Sequence, residues 1–192
     1  MIYQALLCLA EDMNDYFKRK LHIKDEKFIL SGIVNQDGTI AIDGENKMVI
    51  TLVNIEKEAA ASAAIGNGAA RIIANTPQAL NINLYVLFSA YYKDGNYNEA
   101  LRFLAYTIEF LQGKNVFTHS NTPSLDKGIS KLSFELENVG PERLNNIWTT
   151  LGAKYMPSVL YKMRMLSIDA SMIKEYRPPV TSSENNSVTA SS

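Results

Sequence analysis

LNINLYVLFSAYY, residues 80–92, is the stretch that decides the fold. Leu80, Ile82, Leu84, Val86 and Phe88 alternate with Asn81, Asn83 and Tyr85, the two-residue period of a β-strand. The second face starts polar and turns apolar at Leu87. One face is therefore buried throughout and the other partway along. Asp94-Gly95-Asn96 closes the strand.

Upstream, KMVITLVNIE (47–56) reads as a second long strand, dense in Val and Ile. KFILSGIV (27–34) has the same composition. It is followed by Asn35-Gln36-Asp37-Gly38, a strong turn signal, by a short strand at Ile40–Ile42, and by a second Asp-Gly turn at Asp43-Gly44. Neighbouring strands joined by tight turns imply an antiparallel meander. Between the two long strands, AAASAAIGNGAARIIANTP (59–77) is too long for a hairpin, and Gly66-Asn67-Gly68 breaks any helix in it. It reads as a mobile arm.

Flanking these strands are helical patterns. Ile2, Leu6, Leu9, Met13, Tyr16 and Phe17 recur at helical spacing, opposite Gln4, Glu11, Asp15, Lys18 and Arg19, so residues 2–21 form an amphipathic helix. His22 sits at its C-terminal end, where a positive or polar group suits the helix dipole. Residues 97–112 place Leu101, Leu104, Ile108 and Leu111 on one stripe, with Gly113 just past the end. After a polar loop, 129–139 alternates Leu132, Phe134 and Leu136 with Lys131, Ser133, Glu135 and Glu137. Pro141 opens a helix carrying Leu144, Ile147, Trp148 and Leu151, ended by Gly152. The last strand, 158–169, sets Val159, Tyr161, Met163 and Met165 against Lys162 and Arg164. The expected fold is α+β, a mainly antiparallel sheet with helices packed on one side. Residues 1–175 form one domain with the insertion at 59–77. Residues 176–192 are an aperiodic, polar, disordered tail.

Bulk properties narrow the function. The 192 residues are 46% apolar and 20% charged, with a net charge of −1. Such a chain buries roughly 70% of its unfolded surface and needs no covalent staple. Its balanced charge offers no bulk attraction to nucleic acid or anionic membrane. No apolar run reaches the ~18 residues of a membrane-spanning helix. The opening MIYQALLCLAEDMNDY lacks a basic leader, so a cytoplasmic location is expected.

Chemistry-bearing motifs are scarce. Cys8, the one cysteine, lies among leucines and reads as a small buried hydrophobe. His22 and His119 are too far apart in sequence, and no Cys pair exists to give a zinc spacing. Gly66-Asn67-Gly68 lacks the remainder of a phosphate loop. Ser124-Leu125-Asp126-Lys127 matches S-x-x-K without its companion motifs. Asn185-Asn186-Ser187 is a formal sequon with nothing to place the chain in a secretory pathway. Glu11-Asp12, Asp25-Glu26 and Glu56/Glu58 lie on solvated faces, in turns or at strand ends. Lys18-Arg19-Lys20 is a solvated helix end. One enzymatic arrangement stays open, Tyr161 or Lys162 converging with Glu135 across adjacent strands. Catalytic, cofactor-binding and metal residues are all expected to be absent. What remains is a surface for assembly: long strands with open edges, to which a partner could add a strand.

The whole then resembles a family. IYQALLCLAEDMN (2–14), IVNQDGTIAI (33–42), NKMVITLVNIEKE (46–58), LNINLYVLFSAYY (80–92), YNEALRFL (97–104), NTPSLD (121–126) and LNNIWTTLGAKYMPSVLYKMRML (144–166) are similar, in collinear order, to cap (tail-terminator) proteins of bacterial contractile injection systems. The likeness covers about residues 1–170 and leaves 171–192 outside. It implies a tail-terminator-like fold and a structural, non-enzymatic role. The implied cap is a homohexameric ring at the distal end of a phage-tail-like particle. It would bind the inner tube protein and the contractile sheath protein, stop polymerisation, and carry no cofactor. Assembly in the cytoplasm is implied, within a particle that is released or membrane-anchored. An adaptor or assembly chaperone of the same apparatus is the alternative.

Overall fold

A computed structural model describes residues 1–58 and 81–167. The insertion read at 59–77 and the tail read at 176–192 lie outside the described residues. The elements in order are α1 (Ile2–Leu21), β1 (Phe28–Leu30), β2 (Lys47–Lys57), β3 (Asn81–Tyr91), α2 (Tyr97–Gly113), β4 (Val116–Phe117), β5 (Ile129–Leu136), α3 (Pro141–Thr150) and β6 (Ser158–Ser167). The strands make one sheet in the order β1-β2-β3-β6-β5-β4. All neighbours are antiparallel except β1 and β2, which are parallel.

That parallel pair corrects the meander expected upstream. Both Asp-Gly turns form, with Gly38 at φ 83° and Gly44 at φ 80°. They lie inside one crossing connection, residues 31–46, rather than between paired strands. The short strand expected at Ile40–Ile42 is reduced to a single bridge, Val34 to Ile40. Ile33 and Ile42, at 3% and 9% exposure, instead anchor this connection against the sheet.

The sheet has a core on each face. On one, α1 and α2 bury Leu6, Leu9, Met13, Phe17, Phe103, Phe110 and Leu111 against Met48, Ile50, Leu84, Val86, Phe88, Tyr161, Met163 and Met165. Phe17 is the hub. Its ring stacks on Phe28 at 5.2 Å and meets Tyr16 edge-on at 4.9 Å. Tyr106, Phe110 and Phe103 lie at 5.8, 6.1 and 6.5 Å. Two ion pairs tie the helix layer together: Lys20 Nζ to Glu109 at 2.6 Å joins α1 to α2, and Lys114 Nζ to Asp12 at 2.7 Å holds the end of α2 to α1.

α3 packs on the other face, so the helices are not all on one side as expected. Ile147 and Trp148 cover Val49, Leu87 and Leu160 together with Ile33 and Ile42. The apolar turn of β3 at Leu87 marks where this second core begins. One helical assignment also shifts: Leu101 is 43% exposed, and α2 buries the adjacent stripe of Ala100, Phe103, Leu104, Thr107, Phe110 and Leu111.

Candidate assembly surfaces

Three surfaces stand out among the described residues once the cores are filled. The first is an open groove of about 660 Å³. One wall is the 31–46 connection. Its tip is set by Asn35 N donating to Thr39 O at 2.8 Å, and by Asp37 accepting from Thr39 N at 2.9 Å and Thr39 Oγ1 at 2.6 Å. The opposite wall is Gly152–Pro157, held by Ala153 N to Trp148 O and by Ala90 N to Pro157 O. The end of β3 and the first turn of α2 supply Tyr91, Tyr92 and Tyr97. Ile40, Tyr97 and Tyr155 on its rim are 56%, 60% and 63% exposed, an unusual concentration of large apolar side chains in water. Tyr155 is braced edge-on against Trp148 at 5.9 Å, and a Lys93–Glu45 ion pair flanks the rim. Burial pushes the Tyr92 phenol well above the usual tyrosine range, with Glu99 adding to the effect. The groove is thus aromatic at its rim, with Lys93, Asp94 and Lys154 also in its lining.

Asp37 gives the turn at the tip of this connection a pH dependence. Its bonds from Thr39 hold the carboxyl below its ordinary value of 3.8. The turn's stabilisation is therefore complete above that value and lost as pH falls through the lower folded one. The protection of the Thr39 amide relative to free peptide should fall only below about pH 4, and Asp37→Asn should remove that step.

The second surface is the half of the sheet that α3 leaves uncovered. It is polar and internally paired. Tyr85 donates its hydroxyl to Glu56 Oε2 at 3.0 Å, and Asn54 Nδ2 donates to Glu56 Oε1 at 3.2 Å. The Arg143 guanidinium lies 5.6 Å from the Tyr85 ring centre and 3.5 Å from Glu137. Arg164 Nε meets Glu58 at 2.6 Å. Desolvation, then the Glu56 contact, raises the Tyr85 phenol.

The third surface comprises the sheet edges. Among the described residues, β1 pairs only with Met48–Ile50 and β4 only with Leu132–Ser133. The distal half of β2, with exposed Ile55, and the end of β5, with exposed Leu136, are left beside water. β2 carries a bulge between Leu52 and Asn54, a device that twists an edge away from simple pairing.

Of the residues singled out for chemistry, Lys162 and Glu135 come together and Tyr161 does not join them. Lys162 Nζ lies 4.0 Å from Glu135, the cross-strand neighbour set by register. Tyr161 points to the opposite face, into the main core, where burial raises its phenol. Cys8 is 3% exposed with Sγ 3.4 Å from Ser124 Oγ, and burial pushes its thiol up, away from a thiolate nucleophile. His22 caps α1 in a left-handed conformation, φ 55°. In the basic run, Lys18 meets Glu26 at 3.3 Å, Lys20 meets Glu109, and Arg19 Nε donates to Asp15 O. His119 is exposed in a turn. Among the described residues, no group of three or more His, Cys, Asp or Glu is placed to hold a metal ion, and no helix is long and apolar enough to cross a membrane.

The family described as the Pvc16 N-terminal domain matches residues 9–182. The chain belongs to that family. The match runs beyond residue 170, past the segments that carry the sequence resemblance. Among solved structures, the fold is similar to the PVC sheath/tube terminator of an extracellular contractile injection system in its extended state. The TM-score is 0.57 at 12% identity, over 100% of this chain. It is also similar to the anti-feeding prophage cap, a tube-terminating cap, with a TM-score of 0.51 at 11% identity over 91% of this chain. The chain spans 65% of the first of these and 58% of the second. A search of curated proteins gives no match. The tail-terminator-like α+β fold expected from the sequence is thus the one observed, with a mixed sheet.

Proposed function

We propose that this chain is a terminating cap of a contractile injection system, a non-enzymatic structural protein closing the distal end of the particle. The observation that carries the reading is the similarity of fold along the whole chain to a sheath/tube terminator, in a chain of the Pvc16 N-terminal domain family. In the finer reading, copies form a homohexameric ring that binds the last layers of inner tube and sheath and stops their polymerisation. A closed ring requires a heterologous contact, one patch meeting a different one on the next copy. The aromatic groove and the polar half-face are two such unlike patches. The particle assembles in the cytoplasm and is then released or membrane-anchored. No step calls for a cofactor, nucleic acid or membrane insertion by this chain.

Cryo-electron microscopy of particles from cells with and without the protein tests this. Loss of the protein should give overlong or open-ended tubes. Its presence should add six-fold density at the end far from the baseplate. Unchanged particles without that density would remove the cap reading.

The groove supplies a second expected outcome. Ile40→Ser and Tyr97→Ser alter exposed side chains, so folding stability should change by no more than about 0.5 kcal/mol. If the groove is a central contact, each should weaken assembly by about 1–2 kcal/mol. Thermal melts and the fraction of capped particles measure the two effects separately.

A further inference from the structure

The outer edge of β1 is capped at Phe28 by a side chain. In its parallel ladder with β2, Met48 N donates to Lys27 O and Ser31 N donates to Ile50 O. Alternation along the strand then turns the backbone groups of Phe28 and Leu30 away from β2. On that outward side Asn14 Nδ2 donates to Phe28 O at 2.8 Å, while Asn14 Oδ1 accepts from Phe28 N and Lys27 N, each at 2.9 Å. A primary amide offers one acceptor and one donor side by side, the pair that a neighbouring strand's backbone would present. Asn14 is 7% exposed and sits in the helix stripe that flanks β1. A groove of about 520 Å³ runs along this edge between Tyr3, Leu7 and Asn14 on α1 and Phe28–Leu30 on β1.

We propose that Asn14 is a surrogate strand: its amide occupies the β1 edge and prevents another chain from pairing there. Residue type supports this. Aspartate could accept from the two amides but could not donate to Phe28 O. Alanine would leave Phe28 N–H and C=O unpaired beside an open groove, an edge ready for strand addition. The inference rests on the edge geometry alone and holds whether or not the chain is a cap.

Sedimentation of Asn14→Ala across a concentration series is the test. Self-association beyond the wild-type state is expected, strengthened about tenfold or more. Adding Leu30→Pro removes an outward N–H that the β1–β2 ladder does not use. The double variant should return to the wild-type state. If Asn14→Ala matches wild type at every concentration, the proposal is overturned. It is equally overturned if Leu30→Pro leaves the extra association in place, because the association then arises from unfolded chain. Should the variants not fold, amide exchange on the wild-type protein decides. Phe28 N–H should exchange about tenfold more slowly than Leu30 N–H, and equal rates would overturn the proposal.

Discussion

Phe17→Ala should cost about 3–5 kcal/mol of stability, the range for removing a large buried aromatic side chain. Phe17 is 1% exposed. Its ring meets both helices and β1, through Tyr16, Phe28, Phe103, Tyr106 and Phe110. Its loss removes transfer free energy and leaves a cavity whose walls belong to three elements, so collapse from one side cannot fill it. Aromatic contacts add about 0.5–1.5 kcal/mol per well-placed pair. For a chain of this size the midpoint should fall by roughly 10 °C. Urea unfolding followed by circular dichroism should show a lower midpoint with an unchanged slope. A loss under 1 kcal/mol would mean that the helix layer is not held through this residue.

Trp148→Ala should have an effect of similar size and a different kind. α3 is ten residues long and buries only Ile147 and Trp148 fully. A helix this short does not persist in water without its packing. Removing the indole should therefore release α3 and uncover Val49, Leu87 and Leu160 while α1, α2 and the main core stay folded. Exchange of α3 amides should approach that of free peptide, β3 and β6 should keep their protection, and a hydrophobic dye should bind the folded protein. Trp148 is the only tryptophan. Ile147→Ala therefore retains the fluorophore, and its emission should shift to the red at denaturant concentrations below the global transition. Coincident loss of protection everywhere would show α3 to be part of one cooperative unit.

How much of this was legible in sequence depends on the range of each signal. α1, β2, β3, α2, β5, α3 and β6 stand close to where periodicity put them, because each carries its own alternation or stripe. β4, only Val116 and Phe117, is too short to show any period. The direction of β1 is not legible because Asp37-Gly38 and Asp43-Gly44 announce turns without saying which strands they join. The stripe of α3 declares that the helix is packed, but not on which face of the sheet. The groove depends on Ile40, Tyr97 and Tyr155, which come from three distant segments and meet only through the topology. Asn14 left a local trace, a polar residue between Met13 and Phe17 on the buried side of α1. Its purpose appears only once β1 lies beside it.

The position of β6 also sets when folding can finish. It follows every other described strand in the chain, yet it lies between β3 and β5 in the sheet. A nascent chain carrying β1 through β5 holds two half-sheets whose inner edges, Asn81–Ser89 and Ile129–Leu136, lack the strand that joins them. Pairings that span α2, β4, β5 and α3 close slowly, because loop entropy is lost before the contacts form. The domain should then complete as a unit only after Ser158–Ser167 leaves the ribosome, and chains truncated before β6 should be captured by chaperones or aggregate through those inner edges.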